Sequence, residues 1–219
     1  MTRQSESLSP ELYEYLVAHS APRDAVLEEL AAETLKRYPG DAGMQIGPEQ
    51  GTFMTMLASL MGARQVVEVG TFTGYSSLCL ARGLADGGKV LCCDVSEEWT
   101  SVGRAAWADA GVDTKIELVI APAADTLRAL PDEEYIDLAF IDADKPSYPV
   151  YYEELLRRLR PNGLILVDNT LWGGAIVDGS NTDESTLAMR AFNDMVAADT
   201  RVETALLTIG DGLTLLRKR

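Results

Sequence analysis

From residue 63 onward the sequence alternates between short, almost continuously apolar runs and segments whose apolar residues recur at helical spacing. Continuous apolar runs indicate strands that are buried on both faces, and strands separated by helices run parallel to one another. Five such strand–helix units are recognisable. Their strands are predicted at residues 65–69, 89–94, 115–120, 135–142 and 163–168. The alternation therefore predicts an α/β fold with a mostly parallel sheet covered by helices.

Helical segments precede this alternation. Three stretches within residues 1–62 carry apolar residues at helical spacing, and each opens at a proline, a residue favoured in the first turn of a helix. These helices are predicted to begin at Pro10, Pro22 and Pro48. We expect a helical part over residues 1–62 and an α/β core over residues 63–219, which together form a single domain.

The chain closes with two apolar runs, 202–209 and 213–219, on either side of Gly210, Asp211 and Gly212. A short glycine-rich turn between two such runs indicates a β-hairpin. Because the two strands of a hairpin are antiparallel, one strand at or near the edge of the sheet should run against the others.

Composition restricts the location and the partners. The 219 residues include 34 acidic and 19 basic side chains, a formal net charge of −15, and an acidic protein of this kind repels nucleic-acid backbones. No apolar run approaches the roughly 20 residues of a membrane span, and residues 1–16 lack the apolar segment of a signal peptide. We therefore expect a cytoplasmic protein without membrane or nucleic-acid partners.

Cysteine and histidine exclude further classes of site. The three cysteines, Cys79, Cys92 and Cys93, form no Cys-x-x-Cys pair and lie in apolar segments, as expected of buried thiols in a reducing compartment. His19 is the only histidine, so a zinc site with several histidines is excluded and a histidine-based triad is disfavoured.

Ligands of parallel sheets bind at the carboxyl ends of the strands, so the polar residues that end each strand are the candidates. The first strand runs into EVGTFTGYS, in which Gly70 and Gly74 allow the backbone to pass close to a ligand at a helix N-terminus. The spacing is Gly-x-x-x-Gly rather than the dinucleotide fingerprint, which disfavours a dehydrogenase. On its own, such a turn is also common as plain structure.

Two carboxylates support a ligand site at this turn. Asp94 ends the second strand, where an acid can accept hydrogen bonds from ribose hydroxyls. Glu68 lies inside an apolar strand, and a carboxylate buried there needs a cation or hydrogen-bond donors. The alternative for Glu68 is a structural partner on a neighbouring helix. Taken together, these residues favour a nucleoside that carries a cationic amino acid, which describes S-adenosylmethionine.

A second group of polar residues ends the fourth and fifth strands. Asp142 follows the fourth strand, and Asp168 and Asn169 follow the fifth. Adjacent strands lie roughly 4.8 Å apart, so these tips can converge, and carboxylate and amide oxygens are hard ligands that suit Mg²⁺ or Ca²⁺. Three protein oxygens would leave positions for two vicinal hydroxyls and a water. The alternative is that each residue only caps a loop or a helix.

Lys145 stands three residues after Asp142. An ammonium beside a dication and a sulfonium is electrostatically disfavoured, so a lysine there can lose its proton and accept one from a phenol. Without the neighbouring aspartates, a solvated loop lysine would be the default interpretation.

These motifs together resemble the metal-dependent, S-adenosylmethionine-dependent O-methyltransferases of the caffeoyl-CoA and catechol type. The matching segments are MQIGPEQG (44–51), VVEVGTFTGYS (66–76), LCCDV (91–95), FIDADKPSYPVYY (140–152), LILVDNTLWGG (164–174) and IGDGLTLLRK (209–218). The resemblance implies a Rossmann-like class I methyltransferase fold with a seven-stranded, mostly parallel sheet, helices on both faces, extra N-terminal helices and, commonly, a homodimer.

The resemblance also assigns residues to roles. It implies that Asp142, Asp168 and Asn169 bind the divalent cation, with Mg²⁺ as the first choice and Ca²⁺ or Mn²⁺ as alternatives. Lys145 resembles the base, with Asp142 beside it at the reacting centre, and Trp172 resembles an aromatic wall of the acceptor site, although packing is a close alternative. The implied S-adenosylmethionine contacts are Ile46, Glu68, Gly70, Thr71, Ser76, Asp94, Ala123, Asp142, Asp144 and Tyr151.

Two departures bear on the acceptor. Plant members that act on coenzyme A esters carry an N-terminal lysine and an asparagine after the DNTLW tryptophan, whereas this chain has Gln4 and Gly173 there. With the acidic charge, this favours a smaller ortho-diphenol. Alternatives are a tRNA hydroxyuridine methyltransferase, a Mg²⁺-dependent hydrolase, which would leave Glu68 and Asp94 unexplained, and a non-catalytic S-adenosylmethionine-binding module. The acceptor would lie under a loop at 171–183.

Overall fold

The computed structural model describes residues 8–20 and 24–219. Within these residues the strands are β1 (Gln65–Val69), β2 (Lys89–Asp94), β3 (Ile116–Ile120), β4 (Ile136–Ile141), β5 (Leu159–Val167), β6 (Val202–Leu207) and β7 (Leu213–Lys218). They form one seven-stranded sheet in the order β3-β2-β1-β4-β5-β7-β6. The pairs among β1 to β5 are parallel, and β7 runs antiparallel to both β5 and β6. The predicted sheet and the antiparallel strand next to its edge are confirmed.

The helices alternate with the strands after the N-terminal part. They are α1 (Pro10–Ala18), α2 (Ala25–Arg37), α3 (Pro48–Leu60), α4 (Tyr75–Gly83), α5 (Glu97–Asp109), α6 (Ala123–Ala129), α7 (Tyr148–Arg158) and α8 (Glu184–Ala198). Ser9 and Asp24 cap α1 and α2 by accepting hydrogen bonds from the backbone N–H groups of Leu12 and Leu27. The predicted helix start at Pro22 and the departure at Gln4 lie outside the described residues.

Two apolar layers cover the sheet, because successive strand residues point to opposite faces. Val66 and Leu138 face one layer with side chains of α2 to α5, whereas Val67 and Ala139 face the other layer with α6 to α8. Helices therefore cover both faces, as predicted. In the described ranges no helix is both long and apolar enough to span a bilayer.

The other predicted strand bounds agree with the structure to within two residues, and two segments differ more. β5 begins at Leu159 rather than at residue 163, because Leu159 pairs with Ile136 across an irregularity in the ladder. The predicted loop at 171–183 contains a 3-10 helix over Trp172–Val177, interrupted by Gly173 and Gly174, both with left-handed backbone. The division of the chain at residue 62 within one domain stays a prediction.

Strand register sets where the polar residues at the strand ends lie. Val69 is paired with Cys93 on one side and with Ile141 on the other, and Ile141 is paired with Val167. The next residue of each strand therefore falls in one row across the sheet. These residues, in sheet order, are Asp94, Gly70, Asp142 and Asp168.

Candidate functional site

A cavity of about 1150 Å³ lies at this row of strand ends. Thirteen of the fourteen residues that the sequence assigns to a site line it, and the exception is Glu68. The lining includes Ile46, Gly70, Thr71, Ser76, Asp94, Ala123, Asp142, Asp144, Lys145, Tyr151, Asp168, Asn169 and Trp172. The volume exceeds the roughly 300–1,000 Å³ of a typical small-molecule site, so two small molecules can lie side by side.

The glycine turn and Asp94 form one unit. Gly70 has a φ of +91°, and a Cβ atom there would lie 1.8 Å from the backbone oxygen of Asp142, so only glycine fits. Asp94 Oδ2 accepts hydrogen bonds from the backbone N–H groups of Thr71 and Phe72, both at 2.9 Å, and its Oδ1 accepts one from Ser96 at 2.8 Å. Asp94 thus fixes the turn, and its two carboxylate oxygens have capacity to accept further hydrogen bonds.

Glu68 lies beneath the cavity rather than in its lining. Its side chain has no solvent exposure, Ser77 Oγ donates a hydrogen bond to Oε2, and Oε1 has no hydrogen-bond partner among the described residues. Burial raises the pKa of Glu68 from its ordinary 4.5 to about 7, although hydrogen bonds from Ser76 and Ser77 favour the ionised form. The sequence placed Glu68 among the cofactor contacts, whereas the structure gives it serine partners on α4.

Lys145 is the centre of the second group. Its Nζ lies 3.1 Å from Asp142 Oδ1, 2.5 Å from Asn169 Oδ1 and 2.6 Å from the hydroxyl of Tyr148. The ammonium also lies 5.5 Å from the centre of the Trp172 ring, within range of a cation–π interaction. The lysine is 8% exposed. The alternative of a solvated loop lysine is therefore wrong.

Asp168 has different partners. Its Oδ2 accepts a hydrogen bond of 2.7 Å from Gln50 Nε2, and its Oδ1 accepts one of 2.7 Å from the backbone N–H of Asn169. Burial raises the pKa of Asp168 to about 7, and the negative charge of Asp142 adds to the rise. Burial likewise raises the pKa of Asp142. The positive charge of Lys145 opposes this rise, and the negative charge of Asp211 adds to it.

The three oxygen-bearing residues fit a hard divalent cation. Asp142 and Asn169 direct oxygens at one ammonium, and Asp168 is close enough for Asp142 to raise its pKa. One ammonium therefore lies beside two carboxylates, the buried Asp168 and the half-buried Asp142, and their negative charge is only partly compensated. Among the described residues no group of three or more His, Cys, Asp or Glu side chains is arranged to hold a metal. The predicted site consists instead of two carboxylates and one amide.

Sequence reasoning missed two residues of this site. Tyr148 is fully buried, contacts the Lys145 ammonium and lies three positions after it, a spacing that brings side chains together on a helical turn. Gln50 contacts Asp168, which is 118 positions away in the sequence, and no local sequence pattern predicts that contact. A third contact, from the Tyr151 hydroxyl to Asp144 Oδ1 at 2.6 Å, joins two residues that were predicted.

Comparisons with known proteins give a consistent result. The model of the O-methyltransferase family matches residues 17–219. Probable caffeoyl-CoA O-methyltransferase 2 of Dictyostelium discoideum is 40% identical, over 93% of this chain and 90% of that protein. Catechol O-methyltransferase domain-containing protein 1 of Mus musculus is 36% identical, over 99% and 84% of the two chains. The O-methyltransferase of Bacillus cereus, solved in complex with SAH, superposes with a TM-score of 0.84 at 32% identity, over 94% of this chain and 96% of that one.

The buried Glu68 makes stability depend on pH. Because its pKa is raised from 4.5 to about 7, the folded protein must bury a charge above pH 7, so stability falls as the pH rises between these values. We expect Glu68→Gln to gain up to about 3 kcal/mol relative to the unsubstituted protein between pH 5 and pH 8. Urea unfolding of the ligand-free proteins at both pH values measures this difference.

A matched control is Glu117→Gln on β3, whose side chain is exposed. This variant should keep the pH dependence of the unsubstituted protein. Equal pH dependence in the Glu68→Gln variant and the unsubstituted protein would show that Glu68 is already ionised when folded.

Proposed function

The chain belongs to the O-methyltransferase family, and on that premise we propose that it transfers a methyl group from S-adenosylmethionine to one hydroxyl of a small ortho-diphenol, with the help of a divalent cation. One observation carries the proposal. The Lys145 ammonium contacts Asp142 and Asn169 and lies 5.5 Å from the centre of the Trp172 ring. These residues line the same cavity as Gly70 of the glycine turn and Asp94. A base, hard oxygen ligands and an aromatic wall thus adjoin the site proposed for the methyl donor.

The methyl donor is proposed to lie against the glycine turn. The relative from Bacillus cereus was solved with SAH, which is what S-adenosylmethionine becomes when it loses its methyl group. Asp94 would accept the ribose hydroxyls, and the start of α4 at Ser76 presents backbone N–H groups that suit a carboxylate. Asp144, whose orientation the Tyr151 hydroxyl fixes, is an acceptor for the ammonium of the amino-acid part.

Asp142, Asp168 and Asn169 would hold the divalent cation. When bound, such a cation polarises the two vicinal oxygens of an ortho-diphenol and lowers the pKa of the hydroxyl that reacts. Gln50 keeps the Asp168 carboxylate in place by its hydrogen bond from α3. Asn169 has a left-handed backbone, with φ of +59°, which aims its side chain at the same point as Asp142.

Lys145, in its neutral amine form, is proposed to take the proton of the reacting hydroxyl at Nζ. That nitrogen lies 2.6 Å from the Tyr148 hydroxyl and 5.5 Å from the centre of the Trp172 ring, so both side chains restrict its position. The acceptor oxygen then forms a bond to the methyl carbon while the bond from that carbon to sulfur breaks, and S-adenosylhomocysteine leaves. No covalent enzyme intermediate is needed, so the residues contribute orientation and proton transfer.

The charge of the cavity favours a small acceptor without phosphate groups. Six carboxylates and a single lysine are the charged side chains of its described lining. The carboxylates are Glu49, Asp94, Asp142, Asp144, Asp168 and Asp211. Coenzyme A esters and tRNA carry phosphates, which this lining repels. The caffeoyl-CoA activity in the name of the Dictyostelium relative is therefore not extended to this chain.

A homodimer is part of the proposal. Met56 and Leu60 lie one helical turn apart on α3 and are 59% and 81% exposed, an apolar surface that a second copy could cover. We expect light scattering to give the mass of a dimer, and Leu60→Glu to shift it toward the monomer. Val177→Glu, a substitution at another apolar residue that is 84% exposed, serves as the control. A monomeric mass of the unsubstituted protein at micromolar concentration would contradict the homodimer.

The role of Lys145 is tested by separating turnover from binding. Lys145→Met should lower kcat for a catechol by about 100-fold, as expected for loss of a general base, and should leave the Kd for S-adenosylmethionine within about threefold. Product mass spectrometry and calorimetry give the two quantities. The control is Lys36→Met, at a side chain that is 77% exposed.

Two outcomes would contradict the assignment. Unchanged turnover would remove Lys145 as the base, and a lost affinity for S-adenosylmethionine would place it in the donor site instead.

A further inference from the structure

The segment between β5 and α8 is held in part by short-range hydrogen bonds of its own, such as those from the backbone N–H groups of Gly174 and Asp178 to the oxygens of Leu171 and Ala175. Its 3-10 helix over Trp172–Val177 is broken by Gly173 and Gly174, whose backbones are left-handed and where an added Cβ would meet no atom within 4 Å. Val177 is 84% exposed. We call residues 172–181 the acceptor loop, because Trp172 at its start bounds the proposed acceptor site.

One side chain outside this loop donates hydrogen bonds to several of its backbone oxygens. Arg190, in the middle of α8, donates from Nε to the oxygen of Ile176 at 2.8 Å and from Nη1 to the oxygen of Asn181 at 2.9 Å. Its Nη2 donates to the oxygen of Ala175 at 2.8 Å and also to that of Asp178. Four carbonyl groups of the acceptor loop therefore converge on one guanidinium.

The contacts of Arg190 differ from those of Arg158 in one respect. Arg158 also donates to backbone oxygens, those of residues 128, 130, 131 and 154, but its guanidinium pairs with the Glu154 carboxylate as well. None of the ion pairs found between described residues includes Arg190, although arginines such as Arg158, Arg160 and Arg201 all contact carboxylates. A guanidinium presents five N–H donors in a rigid planar fork, which lets it hold several carbonyls at fixed mutual positions. Lysine offers donors from one point only.

The other end of the acceptor loop is attached to the turn between β6 and β7. The backbone N–H of Gly173 donates to Asp211 Oδ1 at 2.5 Å, and that of Leu171 donates to the backbone oxygen of Asp211 at 3.0 Å. Trp172 lies between these two contacts, 5.5 Å from the Lys145 ammonium. Its position thus depends on Asp211 on one side and on Arg190 on the other.

We propose that Arg190 is a positioning residue for acceptor recognition: by holding the carbonyl groups of residues 175, 176, 178 and 181, it fixes the acceptor loop and thereby the wall that Trp172 forms. The link to acceptor binding rests on the proposed function, whereas the ordering of the loop does not. Arg190 acts only through the loop, so its loss should weaken acceptor binding and leave S-adenosylmethionine binding and proton transfer in place.

The first readout is hydrogen exchange of the backbone amides at 173–182, measured by mass spectrometry on the ligand-free full chain. We expect Arg190→Gln to speed their exchange by at least about tenfold, because several charge-assisted hydrogen bonds are lost, and Arg190→Lys to fall between Arg190→Gln and the unsubstituted protein. Arg128→Gln is the control, since Arg128 is an exposed arginine on α6 that pairs with Asp125. It should leave exchange at 173–182 unchanged.

The second readout is kinetic, with a simple catechol as acceptor. For Arg190→Gln the acceptor KM should rise by at least about tenfold, with kcat and the Kd for S-adenosylmethionine changed by less than about threefold. A general loss of folding would instead lower kcat, weaken S-adenosylmethionine binding and speed exchange throughout the chain. If Arg190→Gln does not fold, hydrogen exchange and acceptor kinetics are both measured on Arg190→Lys.

The outcomes separate the inference from the proposed function. Exchange at 173–182 that equals that of the unsubstituted protein would overturn the proposal that Arg190 orders the loop. Faster exchange with an unchanged acceptor KM would overturn its role in recognition. If the unsubstituted protein methylates no catechol, the proposed function fails, and the exchange measurement still decides whether Arg190 orders the loop.

Discussion

The register of four parallel strands determines the site. Val69 is bonded into both neighbouring ladders, and Ile141 continues them to Val167, so the residues that follow leave the sheet along one line. Backbone hydrogen bonds continue this register past the strands, from Asp142 N–H to the oxygen of Val69 and from Asp168 N–H to the oxygen of Ile141. A slip by one residue would send each of these side chains to the opposite face of the sheet. The site is therefore a consequence of the packing of the core.

The strand ends carry more negative than positive charge. Asp142 and Asp168 are drawn together at neighbouring strand ends, and burial together with their mutual repulsion raises the pKa of Asp168 to about 7. The Lys145 ammonium offsets one of the two charges. A second source of positive charge would stabilise the ionised pair, and hard oxygen ligands suit a divalent cation. The acidic lining of the same cavity is the reason for proposing an acceptor without phosphate groups.

Much of the fold followed from local pattern, because buried parallel strands are continuous apolar runs. The bounds of β1 and β2 were predicted to the residue, and the start of β5 was placed four residues late because the pairing of Leu159 with Ile136 leaves no local signal in the sequence. Residues at strand ends were found because topology alone places them together. Gln50 and Arg190 were not predicted. Gln50 contacts a residue 118 positions away, and Arg190 contacts backbone oxygens, which have no signature in a sequence. The burial of Glu68 beneath the cavity, rather than in it, also depended on tertiary packing.

The proposed dependence on a divalent cation is decided by whether product forms with and without metal. Metal-stripped protein is incubated with S-adenosylmethionine and a panel of catechols, flavonoids and caffeoyl-CoA, with added Mg²⁺ or with a chelator, and the products are identified by mass spectrometry. We expect a methylated ortho-diphenol that appears only when the metal is restored, and little product from the coenzyme A ester. The same product at the same rate in the presence of the chelator would contradict a role for the cation.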